Sequence, residues 1–401
     1  MKKRALADKA AHYVSTLCSV KPNRSTGSPG NRTAVEFCAR TFRRLGYAVD
    51  TAPFACLDFE SKGALLSCGE RHFPVCPSPF SLGCDAEAEL AVASTFDELH
   101  SCSCRGKILL LKGEIACEQL MPKRFVFYNP RHHQEIVALL EKKRPAAVVT
   151  ATGKNPGLVG AEYPFPMIED GDFSIPSVYC KDVVGEKIAL LRGEMFRVTS
   201  RTKRIPSRAA NVIARKNPHA RRKIVVCAHI DARANTPGAS DNASGVSVLL
   251  MLAELIADKR SSTGVEMVAF NGEDHFGAGG QMDYLRRYRA GMNRIVAAVN
   301  VDDIGYRRGK TAFSFYECPR EIRQRVRTAF RDYGGLVEGE PWHQGDHMLF
   351  VQNEVPAVAL TSDKMRELMA RFTHTQKDTA AILDFDKLAE AALALKDFIL
   401  G

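Results

Sequence analysis

Long apolar runs separated by polar loops dominate the second half of the chain. The stretches "KIVVCAHI" (223–230), "VEMVAF" (265–270) and "IVAAVN" (295–300) are nearly continuous apolar segments of strand length. Apolar or amphipathic segments of helix length lie between them, among them "VSVLLMLAELIA" (246–257). Strands that alternate with helices in this way predict an α/β fold with a largely parallel sheet, covered by helices on both faces.

The first half of the chain has a different texture. After a polar loop, "TAVEFCARTFRRLG" (33–46) predicts an amphipathic helix that ends at Gly46. From about residue 56 to 200, short strand-like pieces such as "RGKILLLKG" (105–113) alternate with turns and short helices. Because 401 residues exceed what one core usually holds, we predict two domains. Residues 1–55 and 205–401 form the larger one, and residues 56–204 form a smaller, β-rich α/β insertion.

Charge and cysteine content narrow the class of protein. The formal net charge is +10, and the densest basic stretch is 200–223. It lacks interleaved aromatic residues, so we interpret it as a solvated connection between domains and expect no nucleic-acid partner. The twelve cysteines are irregularly spaced, the N-terminus has no continuous apolar signal region, and no apolar run approaches 18 residues. We therefore expect a cytoplasmic protein without a membrane partner; its oligomeric state stays open.

Acids and histidines follow the predicted strands. These positions are "HID" (229–231), Asp241 in "GASDNASG" (238–245), "NGEDHFG" (271–277), "VDDIG" (301–305) and "FTHTQKD" (372–378). A single such residue is usually a cap or a satisfied core group. Five clusters at the carboxyl edge of one sheet would repel one another unless a cation neutralised them. Histidine and carboxylate ligands suit zinc, with manganese or cobalt as alternatives.

The ordered series "AHID", "GASDNASG", "NGEDHFG", "NVDDIG", "GDHMLF" and "HTQKDT" resembles the co-catalytic di-zinc aminopeptidases, whose relatives include glutamate carboxypeptidase and glutaminyl cyclase. The stretch "RSTGSPGNRTAVEFCARTFRRLGY" (24–47) is similar to the opening helix of that family. The resemblance covers residues 24–50 and about 209–400, and residues 56–200 resemble an inserted protease-associated domain. It implies a three-layer αβα zinc-exopeptidase fold.

Carried over residue by residue, the resemblance implies a site for two Zn²⁺ ions. His229 and Asp302 would bind one metal ion, Asp274 and His374 the other, and Asp241 would bridge the two. The bridging acid explains the small residues of "GASDNASG", since it must reach both ions from a tightly set backbone. The family also predicts a cis peptide bond directly after Asp241.

The implied reaction is hydrolysis of N-terminal residues from peptides. A hydroxide between the two metals would attack the peptide carbonyl, with Glu273 as the general base. Asp231 would orient His229 by accepting its other ring N–H. A free α-amine on the substrate could bind the second metal, which would account for aminopeptidase specificity.

Two departures from the family pattern stand out. Relatives usually carry Glu-Glu where this chain has Glu273-Asp274. Many relatives also place a tyrosine just before the "DH" motif, where this chain reads "PWHQGDHMLF" (341–350). We therefore consider four residues of that loop as candidates that line the substrate site: Trp342, His343, Asp346 and His347.

Three alternatives to an aminopeptidase stay open at this point. A glutaminyl cyclase would tend to work with one metal. A carboxypeptidase would need a basic residue near the site, for which Arg233 is a candidate. A binding protein that kept the fold but lost the chemistry is disfavoured by the intact ligand set.

Overall fold

The computed structural model describes residues 3–401 and divides into two compact units. Unit 1 comprises Met1–Cys56 and Ser207–Gly401, and unit 2 comprises Leu57–Pro206. The sequence placed these boundaries at 55/56 and 204/205.

The α-helices of the described chain are α1 (Lys3–Cys18), α2 (Pro29–Arg44), α3 (Phe96–Ser101), α4 (Arg131–Lys143), α5 (Asp182–Ala189), α6 (Gly245–Ile256), α7 (Gly279–Tyr288), α8 (Arg320–Phe330), α9 (His347–Val351), α10 (Met365–Arg371) and α11 (Phe385–Leu400). Short 3₁₀ turns lie at Gly113–Ala116, Val159–Ala161, Arg289–Arg294 and Ala380–Ile382, and an irregular π-type turn lies at Ala239–Ser244.

The strands are β1 (Ala48–Asp50), β2 (Pro53–Cys68), β3 (Arg71–Phe73), β4 (Cys76–Pro77), β5 (Cys84–Ala93), β6 (Ile108–Leu111), β7 (Ala147–Thr152), β8 (Ser177–Lys181), β9 (Met195–Ala210), β10 (Val212–Lys216), β11 (Lys223–His229), β12 (Gly264–Phe270), β13 (Ile295–Val301), β14 (Thr311–Tyr316), β15 (Leu336–Glu338) and β16 (Ala357–Ser362).

Unit 1 is built on an eight-stranded mixed sheet in the order β1-β10-β12-β11-β13-β16-β14-β15. Its centre, β12-β11-β13-β16, is parallel, whereas β10 and β14 join it antiparallel. The predicted α/β fold with a largely parallel sheet is confirmed. The parallel centre fixes the geometry of the site, because its strands all end at one edge.

The core of unit 1 explains the near-continuous apolar runs. Every residue of β12 and the last six residues of β11 are buried, because helices cover the sheet. By length and composition, one helical stretch of residues 3–401, Ala239–Ile256, could cross a membrane, but 89% of it is buried within the folded chain. It is a core helix that packs against the sheet and α11.

Helix α2 begins four residues earlier than the start predicted from the apolar pattern. Ser28 caps it, since its side chain accepts a hydrogen bond from the Asn31 backbone N–H, and Pro29 occupies the first turn. Serine before proline is a helix-start signal that the apolar pattern does not contain.

Unit 2 has its own eight-stranded sheet, in the order β3-β2-β9-β5-β6-β7-β8-β4, with a parallel centre of β5-β6-β7-β8. The reading of residues 200–223 as a solvated connection is wrong: most of this stretch lies in β9, β10 and the start of β11. In β9, buried positions such as Val198 alternate with exposed ones such as Arg197. Within this stretch, Arg201 and Lys203 lie on the exposed face of β9, and their spacing of two residues was hidden by the charge density.

Candidate metal centre

The turn that carries Asp241 packs tightly against the end of β13. The Asp241–Asn242 peptide bond is cis, as predicted. The side-chain amide of Asn242 donates to the Val301 carbonyl at 2.9 Å, and its oxygen accepts from the Gly245 N–H at 2.9 Å. A Cβ atom at Gly245 would lie 2.2 Å from the Val301 carbonyl oxygen. The small residues around Asp241 are therefore required by close backbone contact.

The five predicted ligands come together as two groups that share Asp241. In the first group, His229 Nε2 lies 3.0 Å from Asp241 Oδ1 and 3.4 Å from Asp302 Oδ1. In the second group, His374 Nε2 lies 3.0 Å from Asp241 Oδ2 and 2.8 Å from Asp274 Oδ1. Each oxygen of Asp241 thus faces one group, which is the arrangement a bridging carboxylate needs. We call these five residues the metal centre.

Strand ends and loops from separate parts of unit 1 supply the metal centre. His229 is the last residue of β11, and Asp302 directly follows β13. Asp274 lies in the loop after β12, and His374 follows α10 with a positive φ of 62°. The convergence at one sheet edge follows from the parallel centre.

The electrostatics of the metal centre are dominated by burial among carboxylates. His229 is 1% exposed and Asp302 7% exposed. Burial alone would lower the pKa of His229, but Asp302 and its neighbouring carboxylates hold that pKa well above its usual range. Asp241 shows the opposite response: burial would raise its pKa, but His229 and His374 hold it well below the usual range.

The metal centre fits divalent zinc. Both ring nitrogens of His229 and Oδ1 of Asp302 are buried; although carboxylate oxygens lie within 3.0–3.7 Å of the ring nitrogens, none of these contacts within residues 3–401 has hydrogen-bond geometry. Three carboxylates surround two imidazoles, so the group stays anionic even with both histidines protonated. Unsatisfied buried nitrogen and oxygen atoms with excess negative charge are the donor set that zinc takes.

Asp231 and Glu273 lie beside this group. The Asp231 carboxylate lies 3.7 Å from His229 Nδ1, on the predicted side of the ring but longer than a hydrogen bond. Instead Asp231 accepts the backbone N–H groups of Gly272 (2.8 Å), Glu273 (3.3 Å) and Asp274 (3.1 Å). It therefore fixes the loop that carries the candidate base and ligand.

Burial raises the pKa of Glu273 well above its usual range, and the carboxylates of Asp274, Asp302 and Asp346 add to the effect despite His229. The charges of the metal centre therefore act on the Glu273 carboxyl group.

The structure divides the four candidate substrate residues. Asp346 is buried and accepts a hydrogen bond from Gln281 at 2.9 Å, and burial raises its pKa to about 7. His347 is fully buried, with Nε2 2.9 Å from the Trp342 carbonyl oxygen. Only His343 is exposed. The indole N–H of Trp342 is a buried donor without a partner in the described part of the chain.

Tyr316 is a phenol that the sequence did not connect to this loop. It lies at the end of β14, and its hydroxyl contacts the Trp342 backbone N–H at 2.7 Å and the Trp342 carbonyl at 2.5 Å. The Tyr316 hydroxyl therefore holds the backbone of the Trp342 loop in place. No motif in the sequence signals this pairing, since 26 residues separate the two positions.

Unit 2 contains a second group of histidine and carboxylate side chains, which we call the Glu118 cluster. His132 Nε2 lies 2.8 Å from Glu118 Oε1, and His133 Nε2 lies 3.2 Å from the same oxygen. His133 Nδ1 accepts a hydrogen bond from the Met121 backbone N–H at 3.0 Å.

Residues 211–399 match Peptidase family M28, which confirms the family resemblance seen in the sequence. The chain is also 24% identical over 277 residues to a probable lipoprotein aminopeptidase of Mycobacterium tuberculosis. That alignment covers 65% of this chain but only 51% of the relative, so the chain spans about half the length of that protein.

Solved structures share the fold over almost the whole chain. An aminopeptidase from Aneurinibacillus sp. strain AM-1 superposes with a TM-score of 0.76 at 21% identity, covering 98% of this chain and 93% of that one. A zinc aminopeptidase from Bacillus subtilis gives a TM-score of 0.73 at 20% identity, covering 98% and 94%. At such identities the likeness establishes the fold, and the predicted zinc-exopeptidase fold is confirmed.

Proposed function

We propose that this chain is a zinc-dependent aminopeptidase that removes N-terminal residues from peptides. The observation that carries the proposal is the position of Asp241, with each carboxylate oxygen 3.0 Å from a different histidine. A carboxylate in this position joins two ligand groups and is suited to hold two ions at once.

The ligand assignment follows the two groups. His229 and Asp302 would hold one zinc ion, His374 and Asp274 would hold the other, and Asp241 would be shared between them. When bound, the two ions supply Lewis acidity, which polarises the scissile carbonyl and makes water more acidic.

Glu273 moves the protons of the reaction. Its carboxylate accepts a proton from the attacking water and then donates it to the leaving amine. Asp231 keeps Glu273 in place through the backbone N–H contacts of the 272–274 loop.

The aminopeptidase assignment is tested with a matched pair of substrates. Aminoacyl p-nitroanilides with a free α-amine should be hydrolysed, whereas their N-acetylated counterparts should not. A chelator should abolish turnover, and added zinc should restore it. Equal hydrolysis of the acetylated substrates would contradict an aminopeptidase and favour a carboxypeptidase-like or endopeptidase activity.

Elemental analysis separates the remaining alternatives. Two zinc ions per chain support the proposal, one ion with release of ammonia from an N-terminal glutamine supports a cyclase, and no bound metal supports a silent binding protein. The same zinc-loaded preparation should be used for the substrate assays, so that inactivity cannot arise from missing metal.

A further inference from the structure

Two buried residues bind the backbone of the turn that carries Asp241, and neither belongs to the predicted ligand set. Arg24 comes from the segment before α2, and Asp378 follows His374 by four residues. Arg24 is 3% exposed and Asp378 is 0% exposed. Buried charged groups are costly unless their hydrogen bonds are satisfied, so their partners indicate their role.

Arg24 binds three backbone carbonyl groups around this turn. Its guanidinium donates to the carbonyl oxygens of Pro237 at 2.7 Å, Gly238 at 2.8 Å and Ile230 at 3.2 Å. Ile230 directly follows the ligand His229, and Gly238 lies three residues before Asp241. One side chain therefore ties the end of β11 to the start of the turn.

Asp378 binds backbone N–H groups of the same turn. Its two carboxylate oxygens accept from the backbone N–H of Ser240 at 2.7 Å and of Asp241 at 3.1 Å. The Asp378 backbone carbonyl also accepts from the Ala239 N–H at 3.2 Å. The side chain of Asp378 thus fixes the peptide unit that leads into the bridging residue.

Gly238 shows how tightly Arg24 packs against the turn. Its φ of 61° lies in the left-handed region, and a Cβ atom there would lie 2.8 Å from Arg24 Nη2 and 2.6 Å from the Asp241 carbonyl oxygen. The backbone conformation of the turn and the position of Arg24 are therefore set together.

We infer that Arg24 and Asp378 are positioning residues that hold the Asp241 turn in the conformation needed to bridge two zinc ions. The inference rests on the proposed function, because it assigns a role toward the same metal centre. Arg24 acts on carbonyl groups and Asp378 on N–H groups, so each orients a different part of the turn. Groups that orient metal ligands typically change metal affinity by about 10- to 100-fold when removed.

The test measures zinc affinity rather than turnover. We would prepare Arg24→Met and Asp378→Asn, together with Arg24→Lys, which keeps the charge but replaces the planar guanidinium with a single nitrogen. Zinc dissociation constants are measured by competition with a chromophoric chelator, and the visible spectrum of the cobalt-loaded protein reports ligand geometry.

Arg204 in unit 2 provides the matched control. Its guanidinium also donates to three backbone carbonyl oxygens, those of Phe80, Asp170 and Phe173, but it lies outside unit 1. Arg204→Met therefore removes the same kind of contact without touching the Asp241 turn.

We expect zinc binding to weaken at least tenfold in Arg24→Met and Asp378→Asn and to be intermediate in Arg24→Lys, with an altered cobalt spectrum. In Arg204→Met the zinc dissociation constant should stay within twofold of the wild-type value. If Arg24→Met, Arg24→Lys and Asp378→Asn all keep the wild-type zinc affinity and cobalt spectrum, the inference is overturned and the proposed function stays intact. A wild-type protein that takes up no zinc would overturn both. If Arg24→Met does not fold, Arg24→Lys and Asp378→Asn decide the outcome.

Discussion

The metal centre in unit 1 and the Glu118 cluster in unit 2 contain the same residue types in opposite proportions. In the metal centre, three carboxylates surround two histidines, and Glu273 adds a fourth acid nearby. In the Glu118 cluster, two histidines share one carboxylate oxygen. Excess negative charge requires a cation in the first case, whereas the second cluster can balance its charge within the protein.

The tautomer of His133 is a further difference between the Glu118 cluster and the metal centre. The Met121 N–H donates to His133 Nδ1, so the neutral ring carries its proton on Nε2, the atom that faces Glu118. A metal ion at that nitrogen would compete with this proton. Burial lowers the pKa of His133, with Glu118 opposing it, whereas the carboxylates around His229 raise its pKa. Proximity of histidines and acids alone therefore does not identify a metal site; charge balance and the second ring nitrogen do.

The largest expected effect comes from removing the charge that joins the two ligand groups. Asp241→Asn should lower bound zinc from two ions to fewer than one per chain, because an amide is neutral and binds zinc poorly. Peptide hydrolysis should fall at least 1,000-fold, since removing the shared ligand disrupts both ion sites. Elemental analysis after dialysis and initial rates on an aminoacyl p-nitroanilide measure the two effects.

The matched change in unit 2 is Glu118→Gln. It removes a carboxylate that contacts two histidines, just as Asp241→Asn does. Bound zinc and turnover should stay at wild-type values. A loss of one zinc ion in Glu118→Gln would show that the two clusters do not differ as argued.

The second expected effect separates chemistry from metal binding. Glu273→Gln should lower kcat by about 10²- to 10⁴-fold, because the amide cannot accept a proton from water. The variant should retain the zinc content of the wild type, since Glu273 lies outside the proposed ligand set. Loss of zinc in this variant would indicate that Glu273 is a metal ligand and not the general base.

A third effect concerns the crowded backbone around the metal centre. Gly245→Ala should lower the free energy of unfolding by about 3 kcal/mol, because its Cβ atom would lie 2.2 Å from a backbone oxygen. In unit 2, the nearest atom to a Cβ at Gly157 is the end of the Asn155 side chain, 3.3 Å away. Gly157→Ala should therefore change stability by less than about 0.5 kcal/mol. Urea unfolding of both variants measures the contrast, and equal effects would contradict it.

The smallest effect depends on pH and on a buried neutral histidine of unit 1. Burial lowers the pKa of His347 to about 4. Between the usual histidine value of about 6.5 and this value, the unfolded chain takes up a proton that the folded chain does not, so stability falls as pH falls. From pH 7 to pH 5, His347 should cost about 2 kcal/mol of stability.

Urea unfolding of wild type and His347→Gln at both pH values isolates this contribution. The variant should lose about 2 kcal/mol less than the wild type on acidification, because glutamine does not titrate. Parallel losses in the two proteins would show that His347 is not held neutral by its burial.

The sequence was most informative where residues able to bind a metal ion lie at the end of a strand. His229, Asp302 and the loop acids follow continuous apolar runs, so a parallel sheet was enough to predict that they meet. It was less informative at Asp231, which lies 3.7 Å from His229 Nδ1 as an ion pair but makes its hydrogen bonds with three backbone N–H groups that the sequence did not predict. A carboxylate can accept several donors, and its choice depends on distances that the sequence does not contain.

The basic stretch 200–223 was misread for a related reason. Charge density suggested a solvated connection, but β9 and β10 pair within sheets. Arg201 and Lys203 are exposed on β9, whereas Arg215 of β10 is only partly exposed and pairs with the buried Glu266. Backbone pairing satisfies a strand whatever the charge of its outer side chains, so composition alone could not decide between a linker and a strand.

The alternation of strands and helices along the chain, the family resemblance and the set of acids and histidines were thus determined by the sequence alone, because they depend on periodicity and residue type. Only the tertiary structure decided that each oxygen of Asp241 faces its own histidine, that Tyr316 holds the Trp342 loop, and that Arg24 and Asp378 enclose the Asp241 turn. Arg24 reaches across 214 positions to bind Gly238. Contacts between residues so far apart in the chain are set by packing of the whole unit, and no local pattern records them.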